Sequence, residues 1–161
     1  MGESSYSTAI TIRPAVSGDA DGIARTFLES AEHHASLDSE RYAAPTFETI
    51  SSHYREAGQG ITLVAEFGSE IVGFVDAQLE RSPDPMHRRL VYCHVSEIAV
   101  RQRHQNLGIG GRLLQAVEDW GRQHGAEFAS LEYHAANTRA GAFYQRRMGY
   151  RLASIIAIKR L

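Results

Sequence analysis

One cysteine, one tryptophan and four prolines among 161 residues leave no material for a disulfide-stapled or proline-rich architecture. Cys93, standing alone, excludes an internal disulfide framework and suits a reducing compartment. Its setting in the apolar run LVYCHVSEIAV reads as that of a buried structural thiol. There is no run of apolar residues long enough to span a bilayer and no apolar signal core near the start, so no membrane partner is expected. Gly2 raises the question of myristoylation, but that motif wants Ser or Thr where Tyr6 stands. Charge of one sign is not in excess either: a net charge of −2 gives no global reason to expect nucleic acid or an anionic surface as partner. What the chain does have is balance. With 43% hydrophobic and 22% charged residues it has the composition of a globular protein, long enough to bury one core without staples. A cytoplasmic enzyme or binding domain is the expectation.

The periodicity suggests an α/β domain with a mixed sheet. MGESSYST, residues 1–8, is polar and expected to be a flexible end, followed by a single unit over 9–161. AITIRP alternates as a first strand. Ser17, Asp19 and Asp21 supply a cap and an acidic first turn for a helix over about 18–34. Pro45 opens a second helix with Phe47, Ile50 and Tyr54 on one face. ITLVAE, a Gly68-Ser69 turn and EIVGFVDAQL form a hairpin. SPDPMHRR is a loop. LVYCHVSEIAV is a long strand, and the helix beyond it carries Leu113, Leu114, Val117 and Gly121 on one stripe, ending near Gly125. EFASLEYH is a strand, ANTRAGAFYQRRMG a helix capped by Asn137, and YRLASIIAIKR a closing strand.

Between the long strand and its helix lies RHQNLGIGGR, with three glycines in four positions. Three phosphate-binding patterns compete for it. A triphosphate P-loop needs Lys and Ser or Thr after its second glycine, where this chain has Arg112 and Leu113. A dinucleotide fingerprint fits Gly108 and Gly110 but meets Leu113 at its third position. The pattern R/Q-x-x-G-x-G/A is met by Gln105, Gly108 and Gly110. Unpaired amides at a helix start, aided by the helix dipole, bind an anion, and glycine removes the Cβ that would hold it off. Between residues 88 and 112 there are five arginines against one acid, Glu97. The alternative is a tight strand-to-helix turn with no ligand.

The run VSEIAVRQRHQNLGIGGRLLQAVEDWGRQHG, followed by LEYHAANTRAGAFYQRRMGYR, resembles the GCN5-related N-acetyltransferase (GNAT) superfamily. The likeness is close over about 90–152, with strand and helix order agreeing from about residue 10. It implies a GNAT-like single domain, with a central, mostly antiparallel mixed sheet flanked by helices. Residues 9–89 would face the acceptor and 90–161 would form the acetyl-CoA-binding core. It implies an N-acetyltransferase that uses acetyl-CoA as co-substrate, without metal, and acetylates a primary amine of a small molecule or a peptide N-terminus. The pantetheine arm would pair with the main chain of Ile98, Ala99 and Val100. Arg103 and the loop Gln105, Asn106, Leu107, Gly108, Ile109, Gly110 and Gly111 would cradle the pyrophosphate, and Asn137 would touch the CoA arm or simply cap its helix. Asn106 and Leu107 replace the small residues frequent beside the first glycine. A homodimer is compatible with the resemblance. The alternative is a catalytically silent acyl-CoA-binding module.

Acetyl transfer needs an ammonium deprotonated and a departing thiolate protonated. Glu97, the only acid of the long strand, is the candidate base, with an ion pair to an arginine as its alternative role. On an ideal strand His94 faces away from Glu97 and is held in reserve unless a bulge changes the phase. Tyr144 is the candidate acid by the resemblance; the alternative is a core aromatic. Glu132 and Tyr133 could line the acceptor side. His33 and His34 diverge on a helix and have no evident third partner for a metal. Between Ser30 and Glu56 there are five acids and two arginines, the balance of an ordinary solvated helical face, or else of a surface that favours a cationic acceptor.

Overall fold

The computed structural model describes residues 9–56, 58–82 and 84–161. The segment 1–8, expected to be a flexible end, lies outside them. The chain runs β1 (Ile10–Pro14), a short 3-10 turn, α1 (Ala20–Leu37), α2 (Phe47–Arg55), β2 (Ile61–Phe67), β3 (Glu70–Arg81) and β4 (Val91–Val100). It continues through α3 (Ile109–Gln123), β5 (Phe128–Leu131), α4 (Thr138–Ala142) and a π-helical turn over Phe143–Arg147. The five strands follow one another in the sheet in chain order. The first four pair antiparallel, and β4 pairs parallel with β5.

Helices α1 and α2 cover one face and α3 the other. The α3 stripe of Leu113, Leu114 and Val117 is fully buried against Val72, Val75 and Val95. Ile23 of α1 and Tyr54 of α2 pack on Val64, Phe74 and Ala99 from the opposite side. The close approach of α3 to β4 depends on Gly121, where an added Cβ would stand 2.5 Å from the Cβ of Cys93. Cys93 is buried there, as its apolar run implies, and burial pushes its thiol pKa up.

Several boundaries differ from the sequence expectation. Asp19 accepts from Arg13 at 2.7 and 2.9 Å and from the Val16 amide at 2.8 Å, so it ties β1 to the helix start rather than capping it. Thr46, not Pro45, begins α2, its hydroxyl accepting from the Thr49 amide at 3.2 Å. β5 stops at Leu131, leaving Glu132, Tyr133 and His134 outside the ladder. Asn137 caps α4 as expected, accepting from the Ala140 amide at 3.0 Å, but the helix loosens into the π-helical turn after five residues. The expected closing strand is not formed. Residues 151–161 are exposed and take no regular structure, because a strand exists only where a neighbour completes its hydrogen bonds, and no strand lies alongside among the described residues.

Candidate active site

Ser96 decides the layout. The β3–β4 register pairs Asp76 with Glu97 and then Ala77 with Val95, so Ser96 is an extra, unpaired residue in β4. The bulge reverses the alternation, and the core contacts show it. Cys93, Val95, Ile98 and Val100 pack toward the α3 core, whereas Ala99 packs toward α1. His94 and Glu97 therefore share the α1–α2 face, which corrects the ideal-strand expectation that they oppose each other. His94 is taken up by Ser130, at 3.1 Å between Nδ1 and Oγ.

Glu97 faces a carboxylate that periodicity did not single out. Asp76 is its cross-strand partner, half-buried and accepting from the Thr62 hydroxyl at 2.9 Å. Burial foremost, and then the charge of Asp76, push the Glu97 pKa up to about 7. Burial likewise raises Asp76, against the pull of its Thr62 hydrogen bond and the charge of His53. Tyr54 stands over the same patch, edge-on to Phe74 with ring centres 5.5 Å apart. Its pKa is raised by burial and by both carboxylates. The ion-pair role for Glu97 does not occur among the described residues: Arg101 bonds Glu29 at 3.0 Å and shares Glu70 with Arg103.

On the other side of Glu97, β4 and β5 separate. Their pairing ends at Val95 and Leu131, while β4 runs on to Val100. The main chain of Ile98, Ala99 and Val100 thus continues past the end of β5, at a point where an extended ligand could add itself as a strand. Tyr144 packs beside this split in the π-helical turn, against Tyr133 at 5.4 Å and Tyr150 at 6.1 Å between ring centres. Burial, with the charge of Glu97 next, pushes its pKa up to about 12. Among the described residues its hydroxyl has no protein hydrogen-bond partner, so the phenol is not committed to capping a backbone group.

The glycine loop arrives at the end of β4. Asn106 (φ 64°) and Gly108 (φ 78°) adopt left-handed conformations. They turn the chain so that Gly108 caps α3 and the Arg112 amide makes the first helical bond, to the Gly108 carbonyl, at 3.1 Å. The amides of Ile109, Gly110 and Gly111 precede that bond and so belong to the orphan donors of a helix start. At Gly110 a Cβ would have only ordinary contacts, with Phe143 at 3.6 Å and Val100 at 3.8 Å. Gln105 braces the loop, donating from Nε2 to the Val100 carbonyl at 3.0 Å, and Leu107 is exposed. Arg103 turns to Glu70. A further cation meets the loop from α4: Arg139 donates to the Asn106 side chain at 3.0 Å, a contact that sequence spacing did not foresee. A groove of about 590 Å³ beside the loop is flanked by Gly108, Gly111, Arg112, Phe143 and Arg147. These donors and cations suit a pyrophosphate.

A second cluster stands at the open end. His34, Tyr42 and His134 follow one another at ring separations of 6.0 and 6.2 Å, with Asp38 3.4 Å from His134. Burial first, and then His33 and His134, lower the His34 pKa. Glu132 is exposed, and Tyr133 bonds Gln145 at 2.6 Å. Among the described residues no three His, Cys, Asp or Glu side chains are grouped to hold a metal, and no helix is long and apolar enough to cross a membrane.

Comparison with known proteins agrees with this architecture. Residues 23–150 match the model of the Acetyltransferase (GNAT) family. The chain belongs to that family. It is accordingly an N-acetyltransferase. It is 28% identical over 136 residues to the uncharacterized N-acetyltransferase YhfO of Bacillus subtilis (strain 168), covering 84% of this chain and 87% of that protein. Among solved structures, a mutant of the BH1408 protein from Bacillus halodurans superposes with a TM-score of 0.85 at 21% identity, over 94% of this chain and 99% of that one. An aminoglycoside N-acetyltransferase, AAC(6')-Iy, in complex with CoA, does so with a TM-score of 0.73 at 15% identity, over 98% and 97% of the two chains.

Proposed function

We propose that this enzyme transfers the acetyl group of acetyl-CoA directly to a primary amine held in the same complex. The observation that carries the reading is the half-buried Glu97 carboxyl, with a pKa near neutrality, placed where β4 parts from β5 and close enough for its charge to raise the pKa of the uncommitted Tyr144 phenol. Glu97 takes the proton that the acceptor ammonium must lose, directly or through water. The amine nitrogen then attacks the thioester carbon, and amides of Ile98 to Val100 meet the oxygen as its charge grows. As the C–S bond breaks, the Tyr144 phenol donates to the departing sulfur, and the second proton, shed by the nitrogen as it becomes an amide, restores the phenol through water. A phenol whose pKa lies near 12 is fully protonated at neutral pH.

The loop from Gln105 to Gly111 holds the pyrophosphate through backbone amides, with Arg112, Arg139 and Arg147 supplying charge. Arg103, tied to Glu70, serves the loop's geometry more than the phosphate. Asn137 caps α4 and borders the same path. The acceptor is a cationic amine: Asp76 and Glu97 share one face, and Tyr54, His34, Tyr42 and His134 offer rings on the approach to it. A small molecule or a peptide N-terminus meets that description. One buried free thiol suits a reducing, cytoplasmic setting. The test is steady-state release of free CoA thiol over a panel of amines. Turnover with cationic amines supports the reading. CoA binding without turnover of any amine would make the chain a silent acyl-CoA-binding module.

A further inference from the structure

Residues 101–107 carry the chain from the end of β4 to the glycine that caps α3, and neither a sheet nor a long helix fixes them. A 3-10 turn over Gln102–His104 is closed by the His104 amide on the Arg101 carbonyl at 2.8 Å. The amide of Gln102, which opens the turn, has no acceptor within it, as at any helix start. It donates instead to Oε2 of Glu29 in α1, at 2.9 Å and 73 positions away in the chain. The other oxygen, Oε1, accepts from Nε of Arg101 at 3.0 Å. One carboxylate thus grips both the main chain and a side chain of the same turn. Arg101 is fastened from the other side as well: its amide donates to the Val72 carbonyl at 2.9 Å, and its Nη1 to Glu70 at the start of β3. Its side chain is only 20% exposed.

Helix α1 does not need this tie to stay on the sheet. Ile23 and Phe27 already pack it there, Phe27 stacking on Phe74 with ring centres 6.4 Å apart. Ion pairs open to water add little to stability, and the Glu29 and Glu70 side chains are 36 and 38% exposed. The turn is what depends on Glu29. Without it the Gln102 amide is left to water, and the path into Asn106 and Gly108 rests on Gln105 bonding Val100 and Arg139 bonding Asn106. We infer that Glu29 is a positioning residue for the pyrophosphate of CoA: by tying the turn to α1 it sets the amides of Ile109, Gly110 and Gly111 in place before the ligand arrives. This rests on the reading that the glycine loop takes that pyrophosphate. Donors ordered in advance spare the ligand the entropy of ordering them, so loosening the turn lowers affinity even though no contact to the ligand is removed. The position demands a carboxylate. Both Glu29 oxygens face donors, and a Gln there would turn its own NH2 on either the Gln102 N–H or the Arg101 guanidinium.

Calorimetry with CoA on the full chain should give a dissociation constant about tenfold higher for Glu29→Gln than for the wild type, with the Tm of the free proteins within about 2 °C. Hydrogen exchange of the free variant should quicken in 102–111 and stay unchanged in β3, β4 and residues 113–121. Arg101→Lys keeps the charge and gives up the fork, so it should also weaken CoA binding. Adding Glu29→Gln to it should cost clearly less than the tenfold it costs alone, because both changes act through the same bonds. A double variant whose losses multiply in full overturns the inference. So does quickened exchange spread over the sheet with a lowered Tm, which would make Glu29 a stabilising residue of the fold. A wild type that binds no CoA refutes the pyrophosphate reading and this inference with it. A wild type that binds CoA while Glu29→Gln binds it equally well refutes this inference alone.

Discussion

Replacing Glu97 with Gln keeps the size of the side chain and removes its charge. In the folded chain the carboxyl titrates at about 7 against an ordinary value of 4.5. That gap of 2.5 on the pKa scale corresponds to about 3 kcal/mol by which folding disfavours the ionised form, at about 1.4 kcal/mol for each. Below pH 4.5 the group is protonated whether folded or unfolded and contributes nothing. As pH rises from 4.5 to 7 only the unfolded chain releases the proton, so the native state loses stability, and above 7 the loss is complete. Urea unfolding of the two proteins at a series of pH values should show the Gln variant gaining on the wild type across this window, by up to about 3 kcal/mol at pH 8. Activity should move the opposite way. In the wild type kcat/KM rises through a pKa near 7 as the base ionises. The Gln variant should lose that limb and fall by roughly 10²-fold on the plateau. A flat difference in stability across the window would show that Glu97 has an ordinary pKa. A surviving limb in the variant would place the base elsewhere, with His94 the first residue to examine, since the bulge brings it onto the same face.

Tyr144→Phe keeps the ring and removes only the donor, so kcat should fall at least about tenfold, about 1.4 kcal/mol of barrier, with Tm unchanged; a normal kcat with a lowered Tm would make the residue structural. Asp76→Asn removes a negative charge facing Glu97, and the rising limb of kcat/KM should shift to lower pH. A limb that does not move would mean the two carboxyls do not sense each other. Gly110→Val fills the space above the helix start and should reduce CoA affinity at least about tenfold, seen as a lost thermal shift, while the fold survives. An undiminished shift refutes the pyrophosphate cradle. Gly121→Ala forces a methyl to within 2.5 Å of Cys93 and should destabilise the fold by about 1–3 kcal/mol in urea titration, without touching the site; an unchanged midpoint would show that α3 sits farther from β4.

The order of strands and helices, the α3 stripe and the glycine loop were legible in the sequence because each is written locally. Hydrophobic period tells strand from helix, and three glycines ahead of an amphipathic run mark an exposed helix start. Glu97 stood out as the one acid of its strand, and its partial burial followed from the apolar run that holds it. The partners of these groups were not legible, because they are set by register between segments far apart in the chain. Nothing in SEIAV announces that Ser96 is skipped, yet that single skip turns His94 onto the face of Glu97 and sets Asp76 opposite it. Arg139 reaches Asn106 across 33 positions, and Arg103, which the resemblance sets at the pyrophosphate, bonds Glu70. The same limit governs residues 151–161. Their composition states a preference for extended backbone, but a strand is a relation between two segments, and only the tertiary structure shows that the partner is not supplied by the neighbouring β5 of the same chain.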